Sequence, residues 1–263
     1  MQLGIIENWS EEGFKKVAGY GLGAVELCYN TGLDPAELWA IRGDVKKWSE
    51  QYKVKVGAVG RWGADKVAKD TGAVIGEELA ANKLLVDFCA FVGCPVFNTG
   101  VNYVESLSYL ENCNIAVGWL DKLVKYGKKK GVKIATYNCN WNNFVREPKA
   151  WEMVHGKLPE LGIKFDPSHA IHAGADYISQ IAEWGSRFYH VHIKGVLRIN
   201  GKYIDEPPAG LDMIDWRQVM GLLYAHKYDA MLSIEPHSNI WKGEMGDWGV
   251  RMTIKYLQGM IYQ

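Results

Sequence analysis

The sequence predicts an α/β protein built as one (β/α)8 TIM barrel spanning residues 1–263. Three observations carry that expectation. Short apolar runs alternate with helical stretches, about eight of each at intervals of roughly 20–40 residues, which is the rhythm of a parallel β/α barrel. Polar and ionisable residues fall where the apolar runs give way to loops, the face on which such a barrel carries its chemistry. The length of 263 residues suits one barrel, and no linker or composition shift divides the chain.

The elements follow in order. Gln2–Ile6 reads as the first strand, followed by Glu7, Asn8 and Trp9. Ser10 with Glu11 and Glu12 starts a helix to about Tyr20, stopped by Gly21. Ala24–Cys28 is the second strand and Pro35–Tyr52 mostly the second helix. Val54–Val59 is the third strand, running into Gly60-Arg61-Trp62-Gly63. A helix over Glu77–Phe91 precedes the fourth strand, Gly93–Phe97, whose polar end is Asn98-Thr99-Gly100. Ile115–Lys130 is a long helix with a basic tail that suits the negative end of its dipole.

Val132–Thr136 is the fifth strand, entering Tyr137-Asn138-Cys139-Asn140-Trp141. A helix near Pro148–Lys157 follows. Leu161–Phe165 is the sixth strand, closed by Asp166, and Asp176–Trp184 is a helix. The seventh strand is Phe188-Tyr189-His190-Val191-His192-Ile193-Lys194, in which the two histidines share a face. A polar loop spans Val196–Gly210. A helix over Ile214–His226, the eighth strand Tyr228–Glu235 and a helix over Asp247–Tyr262 complete the chain.

Composition narrows the function. Residues are 48% hydrophobic, enough for a sizeable core, and the formal net charge is zero, which argues against a nucleic-acid partner. The N-terminus does not read as a signal peptide, and no apolar run approaches the roughly 20 residues of a membrane span. The five cysteines (Cys28, Cys89, Cys94, Cys113, Cys139) are odd in number and lack C-x-x-C spacing, so a reduced, cytoplasmic protein is expected.

Three strand ends carry metal-type ligands: Asp166, His192 and Glu235. On strands six, seven and eight they would converge above the barrel. Two carboxylates and one imidazole suit a divalent ion, Mn²⁺ before Mg²⁺, Co²⁺ or Zn²⁺. Separate hydrogen-bonding roles in an open pocket are the alternative for each residue alone. Trp9, Trp62, Trp141 and Trp241 fall in strand-to-helix loops, where flat rings would suit the faces of a sugar or pack beneath the loops. Arg61, Arg198 and Lys202 would hold a phosphate or carboxylate, although no glycine-rich phosphate loop accompanies them. His155 and His226 fall on helices and read as surface residues. His172, His190 and His237 lie near the face without an assigned role.

The runs FDPSHA (Phe165–Ala170), HVHIKG (His190–Gly195) and Gly210–Trp216 through LSIEPH (Leu232–His237) resemble the xylose isomerase-like barrels. That family contains sugar and sugar-phosphate isomerases and epimerases, with inosose dehydratase and endonuclease IV as relatives. The resemblance covers most of the chain and is strongest from residue 132 onward. It implies that Asp166, His192 and Glu235 bind metal, that His169 lines a carbohydrate site, and that the protein is a homo-oligomer. One position departs: the family's strand-five glutamate is Tyr137 here, and Asn138 could supply an amide oxygen instead.

The chemistry that this implies is proton removal next to a carbonyl, with a metal-stabilised enediolate. Glu235 is the candidate base as well as a ligand, and Lys194 the candidate donor to the developing oxyanion, unless it is a strand-end lysine reaching solvent. With one carboxylate of the usual pair missing, isomerisation or dehydration of a keto-sugar or inosose fits better than two-face epimerisation. A barrel that has lost catalysis and only binds carbohydrate is the remaining alternative. Endonuclease IV-type repair is disfavoured, because strands three and four end without histidine and the charge is neutral.

Overall fold

The structure is a computed structural model that describes residues 1–262. Strands β1 (Gln2–Ile6), β2 (Ala24–Cys28), β3 (Lys55–Gly60), β4 (Val96–Thr99), β5 (Lys133–Tyr137), β6 (Gly162–Phe165), β7 (Phe188–Ile193) and β10 (Met231–Ile234) close into a barrel. β1 closes it by pairing in parallel with β10 from Gln2↔Met231 to Ile5↔Ile234. Between the strands run α1 (Glu11–Gly19), α2 (Pro35–Ala40), α3 (Arg42–Tyr52), α4 (Gly76–Val92), α5 (Tyr109–Lys130), α6 (Pro148–Val154), α7 (Pro167–His172), α8 (Tyr177–Trp184) and α9 (Trp216–Ala225). α10 (Gly243–Gln258) follows the last strand.

The apolar core lies between barrel and helices. Outward-facing Phe165 and Phe188 of β6 and β7 stack at 4.6 Å, and Trp151 of α6 meets Phe165 edge-on. Phe14, Trp119, Trp151 and Trp216 are fully buried, each contributing about 2–3 kcal/mol by leaving water. The barrel interior is polar by contrast. Its buried side chains include Glu26, Asn98, Lys164, His190, His192 and Ser233, and cross-strand register brings several together: Lys164 lies beside both Tyr137 and His190, and His192 beside Ser233.

Several expectations change. The second helix is two, α2 and α3, separated where the Ile41 backbone leaves helical geometry (φ −93°, ψ 10°), and the Arg42 guanidinium donates to the Trp39 carbonyl at the break (2.7 Å). The long helix begins earlier, at Tyr109, where Ser108 and Glu111 form a capping box. The Val196–Gly210 loop contains a hairpin, β8 (Leu197–Ile199) and β9 (Lys202–Asp205). It turns at Asn200-Gly201, both at positive φ (50° and 76°), the dipeptide most suited to that geometry. His155 is buried rather than on the surface. Its Nδ1 bonds the Leu161 carbonyl (3.2 Å) and its Nε2 the Thr136 hydroxyl (2.9 Å), joining α6 to the barrel.

Candidate active site

Asp166 is positioned by its own motif. It caps α7, with Oδ1 accepting from the Ser168 N–H (2.9 Å) and hydroxyl (2.7 Å), and Pro167 takes the first helical position. Oδ2 is left facing the barrel axis, buried and without a hydrogen-bond partner among the described residues. The backbone of Asp166 is held from β5. Asn138 Nδ2 donates to the Asp166 carbonyl and Oδ1 accepts from its N–H, both at 2.9 Å. That double bond extends the ladder past the strand ends and corrects the ligand expectation for Asn138: its amide oxygen is already committed.

His192 comes from β7 and Glu235 from the end of β10. His192 Nδ1 lies 2.7 Å from Glu235 Oε2 and 4.0 Å from Asp166 Oδ2. One donor atom from each of the three residues falls within 4.8 Å of the others. With Oδ2 of Asp166 unpartnered, this O/N donor set fits a divalent ion completed by water. The opposite ring nitrogen, His192 Nε2, meets Glu26 Oε2 of β2 at 2.8 Å, and His190 Nε2 meets the same oxygen at 2.8 Å. Glu26 thus holds the ring with Nδ1 turned to the carboxylates, the arrangement that orients a ligating histidine. Burial opposes charge on Glu26, but His190 and His192 hold it well below the usual carboxylate range. Burial also opposes charge on His192, but Glu26 and Glu235 together outweigh it and raise the imidazole's pKa.

Lys194 is not a solvent-reaching strand end. It is 3% exposed, and its Nζ lies 3.2 Å from Asp166 Oδ2, 3.6 Å from Glu235 Oε2 and 3.1 Å from His169 Nε2. An ammonium only donates, so His169 accepts at Nε2. Burial, reinforced by Lys194 and Lys164, depresses His169 to about 3 and keeps it neutral. Burial works against ionisation of Asp166 and Glu235 too, yet Lys194 first, with Lys164 for Asp166 and His192 for Glu235, holds both below their ordinary values.

These groups open into a cleft of about 1100 Å³ whose lining includes Trp62, Trp141, His169, Glu206, His237 and Trp241. Trp62 and Trp141 both line this cleft. Trp62 stacks on Tyr137 (5.5 Å between centroids) and folds back over Gly60, where a Cβ would stand 1.8 Å from its ring. Tyr137, at the departing position, turns its hydroxyl to the Trp141 carbonyl (3.1 Å). Trp9 instead packs against Tyr29 (4.9 Å).

Two arginines correct the substrate-binding expectation. Arg61 is buried and forms a two-pronged ion pair with Glu78 (2.6 and 2.8 Å), because a guanidinium out of water needs a carboxylate partner. Arg198 points along its own hairpin to the Gly201 carbonyl and to His172 (3.4 Å), outside the cleft lining. His172 and His237 flank Glu206, which ties the end of the hairpin to the barrel mouth. Glu26 and Lys164 were missed. Their signal was a charged residue inside an apolar strand (Ala24–Cys28 and Leu161–Phe165), which must find a partner or face a cavity.

Comparison with known proteins agrees with the barrel. Residues 14–252 match a family model described as xylose isomerase-like TIM barrel. The uncharacterized protein YfiH of Bacillus subtilis (strain 168) is 26% identical over 171 residues, a match covering 57% of this chain and 54% of that protein. The chain therefore matches about half the length of that relative. Among solved structures, D-allulose 3-epimerase from Methylomonas sp. superposes with a TM-score of 0.79 at 15% identity, over 99% of this chain and 98% of that one. The 3-keto-D-glucoside 4-epimerase YcjR from E. coli gives 0.74 at 15%, over 98% and 99%. The IOLI protein with a binding zinc atom gives 0.74 at 17%, over 99% and 98%. At such identities the superpositions speak for the fold alone.

Proposed function

The chain belongs to the xylose isomerase-like TIM barrel family, and from that premise we propose that it is a metal-dependent isomerase or epimerase of a small carbohydrate. The observation that carries the reading is the convergence of Asp166 Oδ2, His192 Nδ1 and Glu235 Oε2 at the C-terminal ends of three neighbouring strands, beneath an aromatic-walled cleft. Structural neighbours that are epimerases of D-allulose and of a 3-keto-D-glucoside support carbohydrate as the substrate class, and the zinc of the IOLI structure supports a divalent ion.

In this reading Asp166, His192 and Glu235 hold the ion, Mn²⁺ by preference for the mixed donor set. Bound there, it would act as a Lewis acid that polarises a carbonyl. Glu235 takes the proton from the carbon next to that carbonyl and returns it to the neighbouring carbon. Lys194, already beside both carboxylates, donates to the oxygen on which charge develops. His169, neutral and accepting from Lys194 at Nε2, carries its proton on Nδ1 and donates from there to a substrate hydroxyl. Trp62 and Trp141 wall the sugar and exclude water. Elimination of water from a keto-sugar is the second reading, favoured by Tyr137, which removes the opposing carboxylate from the floor. The working form is proposed to be a cytoplasmic homo-oligomer without a nucleic-acid or membrane partner. All five cysteines are free thiols, and no helix among the described residues is long and apolar enough to cross a membrane.

The test is Mn²⁺ titration with elemental analysis on wild type and His192→Ala, followed by a panel of ketoses, aldoses and inososes with wild type and Glu235→Gln. Stoichiometric binding that is lost in His192→Ala, and turnover abolished in a folded Glu235→Gln protein, are the expected results. Failure of wild type to take up any divalent ion would overturn the reading.

A further inference from the structure

Two lysines reach the floor of the cleft from adjacent strands, and they differ in what they meet. Lys194 hydrogen-bonds His169 and lies 3.2 and 3.6 Å from the Asp166 and Glu235 carboxylates. Lys164, on β6, is 1% exposed and lines the cleft, yet its ammonium makes no hydrogen bond to any described residue. Its nearest carboxylate oxygen, Asp166 Oδ2, lies 3.9 Å away and is approached more closely by Lys194 at 3.2 Å. Its cross-strand neighbours do not serve it. The Tyr137 hydroxyl is turned to Trp141, and His190 gives its Nε2 to Glu26. Its ammonium faces the cleft with only that distant carboxylate beside it, so a ligand oxygen that enters the floor would meet an uncommitted donor.

The charge balance of the floor gives that donor a purpose. Asp166 and Glu235 face Lys164 and Lys194, two carboxylates against two ammoniums, while Glu26 below is engaged by His190 and His192. The position opposite Lys164 on β5 is the neutral Tyr137. A divalent ion on the three donors would leave this floor with surplus positive charge. A neutral sugar compensates it only as charge develops in the reaction, whereas an anionic one does so on binding.

We propose that the substrate is a sugar acid, with a carboxylate next to its reacting carbonyl or hydroxyl carbon, and that Lys164 is the residue that receives this carboxylate. The proposal rests on the carbohydrate reading above and names its substrate class. Depth favours carboxylate over phosphate. Lys164 lies two residues before Asp166, at the end of β6, so its ammonium serves the reacting end. The terminal phosphate of a sugar phosphate would lie towards the mouth, where Lys16 and Lys242 line the same cleft.

The test is calorimetric binding to the Mn²⁺-supplemented protein of ligand pairs that differ only in that group: 2-keto-D-gluconate against D-fructose, and further 2-keto and 2-hydroxy acids against their neutral ketoses or polyols. D-fructose 6-phosphate is the phosphate arm. One charge-assisted hydrogen bond corresponds to about tenfold or more in affinity. The acids are expected to bind at least that much more tightly than their neutral partners. Lys164→Met is expected to erase the difference between each acid and its neutral partner, and Lys164→Arg to retain it. Should Lys164→Met not fold, the wild-type pairs and Lys164→Arg decide the matter. Neutral ketoses binding as tightly as the acids, or the sugar phosphate binding most tightly of all, would sink the sugar-acid assignment and leave the carbohydrate reading standing. No binding by any member would overturn both.

Discussion

At the scale of single residues, the candidate site depends on side chains that are each used twice. Asp166 caps a helix with one oxygen and presents the other to the barrel axis. His192 shows one nitrogen to the carboxylates and the other to Glu26. Replacing Glu26 with Gln would leave the volume unchanged but substitute an amide, which can offer N–H groups to the two imidazoles as readily as an oxygen. The His192 ring would lose its single preferred tautomer. Outer partners of this kind change metal affinity by about 10–100-fold, so Glu26→Gln is expected to weaken Mn²⁺ binding in that range with the far-ultraviolet circular dichroism unchanged. A loss below about threefold would mean that Glu26 serves barrel packing only.

Elements contribute through what fastens them. The hairpin β8–β9 is tied down by Asp205, which accepts from Ser238 (2.6 Å), and by Glu206 between His172 and His237. α6 is tied by His155. Burial, with Arg187 nearby, lowers His155 from 6.5 to about 3, so the folded protein holds it neutral where the unfolded chain would protonate it. The folded state binds fewer protons than the unfolded state between those two values. Its contribution is therefore complete above about pH 6.5 and is lost as the pH falls towards 3. A slope approaching about 1.4 kcal/mol per pH unit is the ceiling for one group. Urea unfolding followed from pH 7 to pH 4 should show stability falling on acidification, and less steeply in His155→Gln. Equal slopes in the two proteins would assign the acid sensitivity to other groups.

On the scale of the whole molecule, the barrel is closed by its first strand. β1 joins β10 on one side and β2 on the other. Removing residues 2–6 would open the ring, leave two buried edges unpaired and expose the polar interior to water. The truncated protein is expected to lose its single cooperative unfolding transition and to aggregate. A sharp transition at a denaturant midpoint close to wild type would show that the remaining seven strands close without it.

Much of this was legible along the chain because it is local. Apolar periodicity marks a strand or helix within a few residues, and the Asp-Pro-Ser motif both ends β6 and starts α7. The Asn200-Gly201 turn was equally local and was passed over inside a polar loop. Arg61 was misread for a different reason. A guanidinium after a strand looks the same whether it faces a ligand or a carboxylate, and Glu78 lies 17 residues further on.

The sequence by itself determined the alternation of strands and helices, hence the barrel, and the three strand-end residues Asp166, His192 and Glu235. Each follows from period and position within one segment. Only the tertiary structure decided that Glu26 reaches His190 and His192, 164 and 166 residues away. It alone decided that Tyr137 turns from the site, that Lys194 stands between two carboxylates, and that Lys164 stands without a hydrogen bond. The physical reason is that closing the barrel sets which inward side chains share a level, and that register belongs to all eight strands together.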